Sequence, residues 1–225
     1  MKAHITEAFY TFFKKLAANN HKDWFDENRE VYEQQVKKPF ELLCEELLEE
    51  MAKTDVAYSR LLPKDVIFRI NKDVRFSKDK SPYKLNRSAL LSPGGRKDMS
   101  SGGFYFELGP EANIFYAGIY MPDKEQLLKI RHYIAGNLKA FEKVITAPAF
   151  KDTFGEIHGN KNKRLDADFK EAAVKQPLLF NTQFYIKHEL EDAVCLSENL
   201  VSELMKLYKI ALPLNTFLNR ALDDE

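Results

Sequence analysis

The sequence predicts a single α+β domain spanning residues 1–225, with a central, largely antiparallel sheet flanked by helices. Apolar residues recur at helical spacing in four stretches, at about 5–18, 23–53, 123–136 and 198–211, and with a period of two at 66–76, 104–108 and 114–121. Strands and helices do not alternate one for one, which argues against a doubly wound parallel sheet. Hydrophobic residues make up 44% of the chain and charged ones 30%. A chain of this length removes about 70% of its unfolded surface from water, so one full core is expected.

The elements follow in order. Phe9, Phe12, Phe13 and Leu16 share one helical face, and Asn19-Asn20 ends that helix. Residues 23–53 read as helix, with Phe40, Leu43, Cys44, Leu47, Leu48 and Met51 as its apolar stripe and Pro39 as a kink or a second start. From Val66 to Ser77 the pattern becomes strand-like, with Val66, Phe68, Ile70, Val74 and Phe76 on one face and Asn71-Lys72-Asp73 as a bulge or turn. Residues 77–103 hold Ser81-Pro82, Ser92-Pro93-Gly94-Gly95 and Gly102-Gly103, the breakers of a long loop. Phe104–Leu108 and Ile114–Met121 form a hairpin across Gly109-Pro110-Glu111-Ala112-Asn113. Pro122-Asp123 opens a helix to Gly136, and another covers 138–145. Residues 146–182 give no clear pattern, 184–188 read as a short strand, and Ser197 reads as the cap of a last helix that Pro213 stops or kinks.

Lys plus Arg and Asp plus Glu both number 34, so nothing global draws the chain to nucleic acid or to an anionic membrane. Cys44 and Cys195 lie beside apolar residues without C-x-x-C spacing, which fits a reducing compartment. Residues 1–18 carry His4, Glu7, Lys14 and Lys15 and lack the unbroken apolar region of a secretory signal. No stretch approaches the roughly 20 apolar residues of a membrane span. Cytoplasmic residence, with no membrane partner, is the expectation.

The concentrated chemical signal lies between Lys64 and Lys97, where ten basic residues stand against Asp65, Asp73 and Asp79 in a chain of zero net charge. In a continuous strand, Arg69, Asp73, Arg75 and Ser77 project opposite the apolar stripe. Two guanidinium forks there can grip a phosphate or carboxylate, with Asp73 orienting one of them. On that reading Arg75 faces a pocket rather than bulk water. The competing reading is a salt-bridged strand face followed by a solvated basic loop.

Other templates fit less well. Ser77-Lys78-Asp79-Lys80 matches S-x-x-K, but the companion S-D-N and K-T-G motifs are missing. The histidines at 4, 21, 132, 158 and 188 lack ligand spacing, and His188 with Glu189, Glu191 and Asp192 reads as a surface acidic cluster before it reads as a metal site. No metal and no cofactor is expected. Phe104, Tyr105, Phe106, Phe115, Tyr116 and Tyr120 could stack bases, yet aromatics in strands mostly fill cores.

Asn19-Asn20-x-x-x-Trp24-Phe25, Asn28-Arg29-x-x-Tyr32, Pro39-Phe40 and, above all, the run from Arg69-Ile70-x-x-Asp73-Val74-Arg75-Phe76-Ser77 through Asp79-Lys80-Ser81-Pro82-Tyr83-Lys84 resemble the bacterial and fungal domain of unknown function 2461. Gly118-x-Tyr120-x-Pro122 and Arg131 extend the resemblance, which covers about residues 9–222. It implies a single α+β domain and supplies no activity, cofactor or catalytic residue.

The expected site therefore rests on residue chemistry. It is a basic pocket for a small phosphate- or carboxylate-bearing ligand, formed by the 69–87 segment from Arg69, Asp73, Arg75, Ser77, Lys80, Tyr83 and Lys84. Asp73 or Asp79 would be the base if a reaction follows. The alternative is a non-enzymatic scaffold module that docks an acidic protein through the same patch.

Overall fold

In the computed structural model, residues 3–98 and 101–223 are described; Met99 and Ser100 of the predicted loop, and positions 1, 2, 224 and 225 of the predicted domain, lie outside the described residues. The fold is α+β, as predicted, with an antiparallel four-stranded sheet in the order β1-β2-β3-β4. The strands are β1 (Arg87–Leu91), β2 (Gly103–Leu108), β3 (Asn113–Ile119) and β4 (Phe184–Glu189).

The helix predicted over 23–53 is broken for identifiable reasons. After α1 (Glu7–Ala18) come α2 (Lys22–Glu27), capped by His21, and α3 (Arg29–Tyr32), with Asn28 between them. Pro39 has no N–H to offer the Gln35 carbonyl and its ring crowds that oxygen, and a π turn over Glu33–Lys37 absorbs the conflict. Pro39 then falls in the first turn of α4 (Lys38–Ala52), where its missing donor costs nothing. A 3₁₀ turn over Val56–Arg60 and the short α5 (Pro63–Val66) lead towards the sheet.

The strand predicted over 66–77 is not a strand of the sheet. Val66 ends α5, and residues 67–72 run extended and antiparallel to 82–89: Phe68 N donates to Ser88 O (3.0 Å), Lys84 N to Ile70 O (2.8 Å) and Lys72 N to Pro82 O (2.8 Å). Pairing stops there. Pro82 has no N–H for the ladder, and the segment beyond it is polar, so no apolar face waits for Val74 and Phe76. Phe76 is 95% exposed. Strand β1 instead lies inside the predicted loop.

The predicted hairpin forms as β2 and β3, with Phe104, Phe106, Leu108, Phe115, Ala117 and Ile119 buried at alternate positions. Helix α6 (Lys124–Gly136) opens on a reciprocal cap, in which Asp123 Oδ1 accepts from Gln126 N and Gln126 Oε1 from Asp123 N, both at 2.9 Å. Helix α7 (Leu138–Ile145) forms where the second helix was predicted, and α8 (Pro148–Phe154) and α9 (Lys170–Lys175) precede β4 in the region that gave no pattern. Helix α10 (Asp192–Cys195) leads to α11 (Leu200–Asp223). Ser197 is not the cap of α11: its hydroxyl accepts from Asn199 N (3.1 Å) and donates to Val194 O (2.8 Å), turning the chain before the helix begins. Pro213 does not stop α11. Leu207, Ala211, Leu214, Leu218 and Ala221 are buried on both sides of it, and at about 1.5–3 kcal/mol per large apolar side chain their burial exceeds the roughly 3 kcal/mol cost of the proline.

The chain groups into two compact units. The first takes in the chain up to Arg96 with Tyr105–Phe115 and Glu189–Met205. Its core is aromatic: Phe9 stacks on Phe40 at 6.4 Å, and Phe40 meets Phe106 at 5.4 Å. The second takes in Lys97–Phe104, Tyr116–His188 and the chain from Lys206 onward. There Phe104 packs on Tyr208 (5.5 Å), Phe217 on Phe141 (5.1 Å), and Arg131 donates to the carbonyls of Leu179 (3.0 Å) and Asn181 (3.1 Å).

Gly118 has φ of 108°, and a Cβ there would collide with the Phe184 carbonyl oxygen and lie 2.9 Å from Tyr185 Cα. Gly118→Ala should therefore destabilise by more than about 2 kcal/mol. Gly136, with nothing within 4 Å of its added Cβ, is the control, and Gly136→Ala should gain about 0.4–1 kcal/mol. Urea unfolding of the two variants tests the contrast.

Candidate functional site

The basic segment divides into a tip and a base, and the two use their charges differently. At the tip, Asp73 holds Arg75 in a bidentate pair, with Nε to Oδ1 at 2.9 Å and Nη2 to Oδ2 at 2.7 Å. Lys72 Nζ reaches Asp79 Oδ2 (2.8 Å) and Ser81 Oγ (2.7 Å), and the Ser81 hydroxyl donates to the same carboxylate oxygen (2.9 Å). Lys80 Nζ donates to the Val74 carbonyl (3.0 Å), and Ser77 Oγ accepts from Asp79 N (3.1 Å). These contacts close the loop on itself. The Arg75 side chain is 75% exposed, against the expectation that it faces a pocket, because pairing with the 82–89 segment ends at Lys72 and the Asp73–Arg75 pair stands in solvent. Its guanidinium, 5.8 Å from the Phe76 ring centre, holds the Asp73 carboxyl down to about 2. Lys72 and Ser81 hold Asp79 well below the usual carboxylate range.

Tyr83 serves packing. Its ring is buried against Phe25 at 4.1 Å, nearly parallel at 17°. Asn20 meets its backbone in both directions, with Tyr83 N to Oδ1 at 3.1 Å and Nδ2 to Tyr83 O at 2.9 Å. An asparagine side chain thus imitates one rung of a β-ladder and ties the α1–α2 turn to the 82–89 segment.

At the base the charges are not answered by their neighbours. Lys84 is half-buried with its ammonium 5.4 Å from the Phe68 ring centre. Burial, then the charges of Arg87 and Arg69, lower its pKa, and Glu107 opposes them only as the smallest influence. The Phe68 ring favours the cation by about 0.5–1 kcal/mol, which desolvation and two guanidiniums outweigh. Arg69 is exposed on the extended segment. Arg87, the first residue of β1, is only 5% exposed. Its guanidinium lies 5.6 Å from the Phe40 ring centre, and its Nε is buried without a hydrogen-bond partner. Among the described residues no carboxylate lies within ion-pair reach of it. A buried unpaired donor costs about 1–3 kcal/mol, more when charged.

Tyr105 and Glu107 project from β2 on the face opposite Phe106. The Glu107 carboxylate accepts from the Tyr105 hydroxyl (2.6 Å) and from Asn86 Nδ2 (3.2 Å), and Tyr105 packs on Phe68 at 6.1 Å. The structure thus brings Arg69 and Lys84 together with Arg87, and keeps Asp73, Arg75, Ser77 and Lys80 in the tip. Sequence reasoning counted Arg87 among the basic residues but missed its burial. The available signal was the run Arg87-Ser88-Ala89-Leu90-Leu91, bounded by Asn86 and Ser92-Pro93, which is long enough for a buried strand.

Among the described residues no group of three His, Cys, Asp or Glu is placed to hold a metal ion. His188 Nδ1 lies 3.1 Å from the Thr153 carbonyl and its ring packs edge-on to Phe154. Both cysteines are buried and unpaired; burial pushes the Cys44 thiol up and, helped by Asp192, the Cys195 thiol to about 11. Neither is a ready thiolate. No helix among the described residues is long and apolar enough to cross a membrane.

Compared with known proteins, residues 8–217 match a family profile described as conserved hypothetical protein (DUF2461). Neither the curated proteins nor the solved structures give a match.

Because the Asp73–Arg75 pair is exposed, Arg75→Ala should leave the melting temperature unchanged while Asp73 returns from about 2 towards the ordinary value near 3.9. Asp73 is depressed in the folded state, so any stability it lends is present above the unfolded value and is lost as pH falls towards about 2. Carboxyl NMR titration with thermal melts reads both; a large drop in melting temperature would show a structural arginine instead.

Proposed function

The chain belongs to the DUF2461 family, and from that premise and the charges at the base of the basic segment we propose that it binds a small anionic ligand, phosphate or carboxylate, at Arg69, Lys84 and Arg87. One observation carries the reading: Arg87 is buried with Nε unanswered, beside a half-buried lysine whose neighbours are themselves cations. Burying a cation without a counter-charge is costly, and an arriving anion offsets that cost with bidentate hydrogen bonds. Asp73, Arg75, Ser77 and Lys80 hold the adjoining loop in this reading, and Tyr83 holds its root. The unbroken family match over residues 8–217 supports treating the chain as one domain. The two buried free thiols support a reducing, cytoplasmic setting. The zero net charge speaks against nucleic acid as the partner.

A scaffold role has one observation of its own. Phe76 stands 95% exposed at the loop tip beside Arg75, a shape suited to insertion into a partner protein. Phe76→Ser separates the readings, since it should abolish docking to a partner and leave the anion response intact.

The anion reading predicts that Arg87→Met raises stability in anion-free buffer by about 1 kcal/mol or more, because an unpaired buried charge is removed. The same change should abolish the gain that wild type shows with sulfate, about 2.7 kcal/mol at a hundredfold excess over the dissociation constant. Lys84 adds a pH signature. Its folded pKa is lowered, so the unfolded chain binds more protons in the window from that value up to about 10.4, and stability rises with pH there. Sulfate favours the charged ammonium, so its stabilisation should fall over the same window and lose that dependence in Lys84→Met. Thermal melts with and without sulfate check each point; destabilisation by Arg87→Met with an unchanged sulfate response would sink the proposal.

A further inference from the structure

We propose that Lys84 is an imine-forming amine that acts on small carbonyl compounds bearing an anionic group, 2-oxo acids being the smallest. The inference rests on the anion reading above and names the ligand class that the same residues fit.

The geometry separates Lys84 from the lysines around it. Lys72 is engaged by Asp79 and Ser81, and Lys80 by the Val74 carbonyl. Lys84 Nζ instead lies against the Phe68 ring, and among the described residues it has no carboxylate in ion-pair reach. The nearest influence of opposite charge, Glu107, has its Oε2 taken by the neutral donors Tyr105 and Asn86. An amine in that position, half-desolvated and flanked by Arg69 and Arg87, holds its proton less firmly than an exposed lysine. The guanidiniums that discourage its charge are also the groups that would hold a carboxylate next to the carbonyl under attack.

The step balances without an oxidant or reductant. The Nζ lone pair forms a bond to the carbonyl carbon, and the carbonyl π pair moves to oxygen, which takes up a proton as nitrogen releases one. The resulting carbinolamine loses its hydroxyl as water once that oxygen gains a second proton, and a C=N bond replaces C–N. Glu107 with Tyr105 is the proton-carrying pair on the same side of β2.

The test uses the intact protein with pyruvate and sodium borohydride, followed by peptide mass mapping. Lys84 should be the preferred site of reduction to a stable secondary amine at pH 7, ahead of exposed Lys163 and Lys170, since its burial beside Arg87 and Arg69 favours the neutral amine. Lys84→Arg should lose the adduct, because the guanidinium that replaces the amine stays protonated and forms no imine. Labelling spread evenly over exposed lysines, with sulfate still stabilising through Arg87, overturns the imine and leaves the anion site standing. No effect of either pyruvate or sulfate on the wild type overturns both.

Discussion

The buried guanidinium of Arg87 constrains the structure around it. It stands at the first position of β1, over the Phe40 ring, at 5% exposure. Cation–π attraction returns about 2 kcal/mol in a desolvated setting, while withdrawing an ion from water costs several. Its field extends well into the core: it opposes the upward push that burial gives the Tyr32 hydroxyl and the Cys44 thiol, and it adds to the downward push on Lys84. Tyr32 lies on α3, Cys44 and Phe40 on α4, and the extended 67–72 segment pairs with 82–89, so these groups are positioned by the backbone elements around Arg87.

Holding that arrangement falls to residues that carry no chemistry of their own. Asn20 grips both backbone groups of Tyr83, and Tyr83 lies flat on Phe25, which in turn packs on Phe12 and Tyr32. The N-terminal helices are thereby fixed to the strand-like segment that delivers Lys84 and Arg87. Several residues of the long family-like motif divide along this line, with Asp73, Arg75, Lys80 and Ser81 folding the loop and Tyr83 rooting it. Specifying polar residues is costly when they are buried and unpaired, but these are exposed or satisfied, so their presence in the motif needs no ligand to explain it.

That division also explains what was legible in the sequence. Helix α1, the hairpin of β2 and β3, the Asp123 start of α6 and the reach of β4 follow local periodicity and capping, which the chain encodes within a few residues. The run 66–77 misled because alternation predicts a strand only where a partner face exists, and Pro82 together with the polar 77–81 stretch denies one beyond Lys72. At Pro213 the local rule for stopping a helix is outweighed by burial along α11, while Ser197 spends its hydroxyl in the turn ahead of that helix. The basic character of 64–97 was plain, but which cations lack partners depends on contacts between residues far apart in sequence, such as Arg87 with Phe40 and Glu107 with Asn86. No spacing rule carries that information.

The surplus of positive charge in this segment is therefore not one property but two. At the tip, each of Asp73 and Asp79 sits two to seven residues from the cation it binds, so local chain closure neutralises the loop as it forms. At the base, the carboxylate that acts on Lys84, Glu107, has its Oε2 occupied by a hydroxyl and an amide and forms no ion pair with the lysine. A segment that needed only solubility could leave all its cations exposed, and one that needed only stability could pair them all. Here the tip is neutralised by its own carboxylates, while Arg87 is buried with its Nε unpartnered and Lys84 is half-buried against the Phe68 ring, and that unevenness is what the proposed anion site rests on.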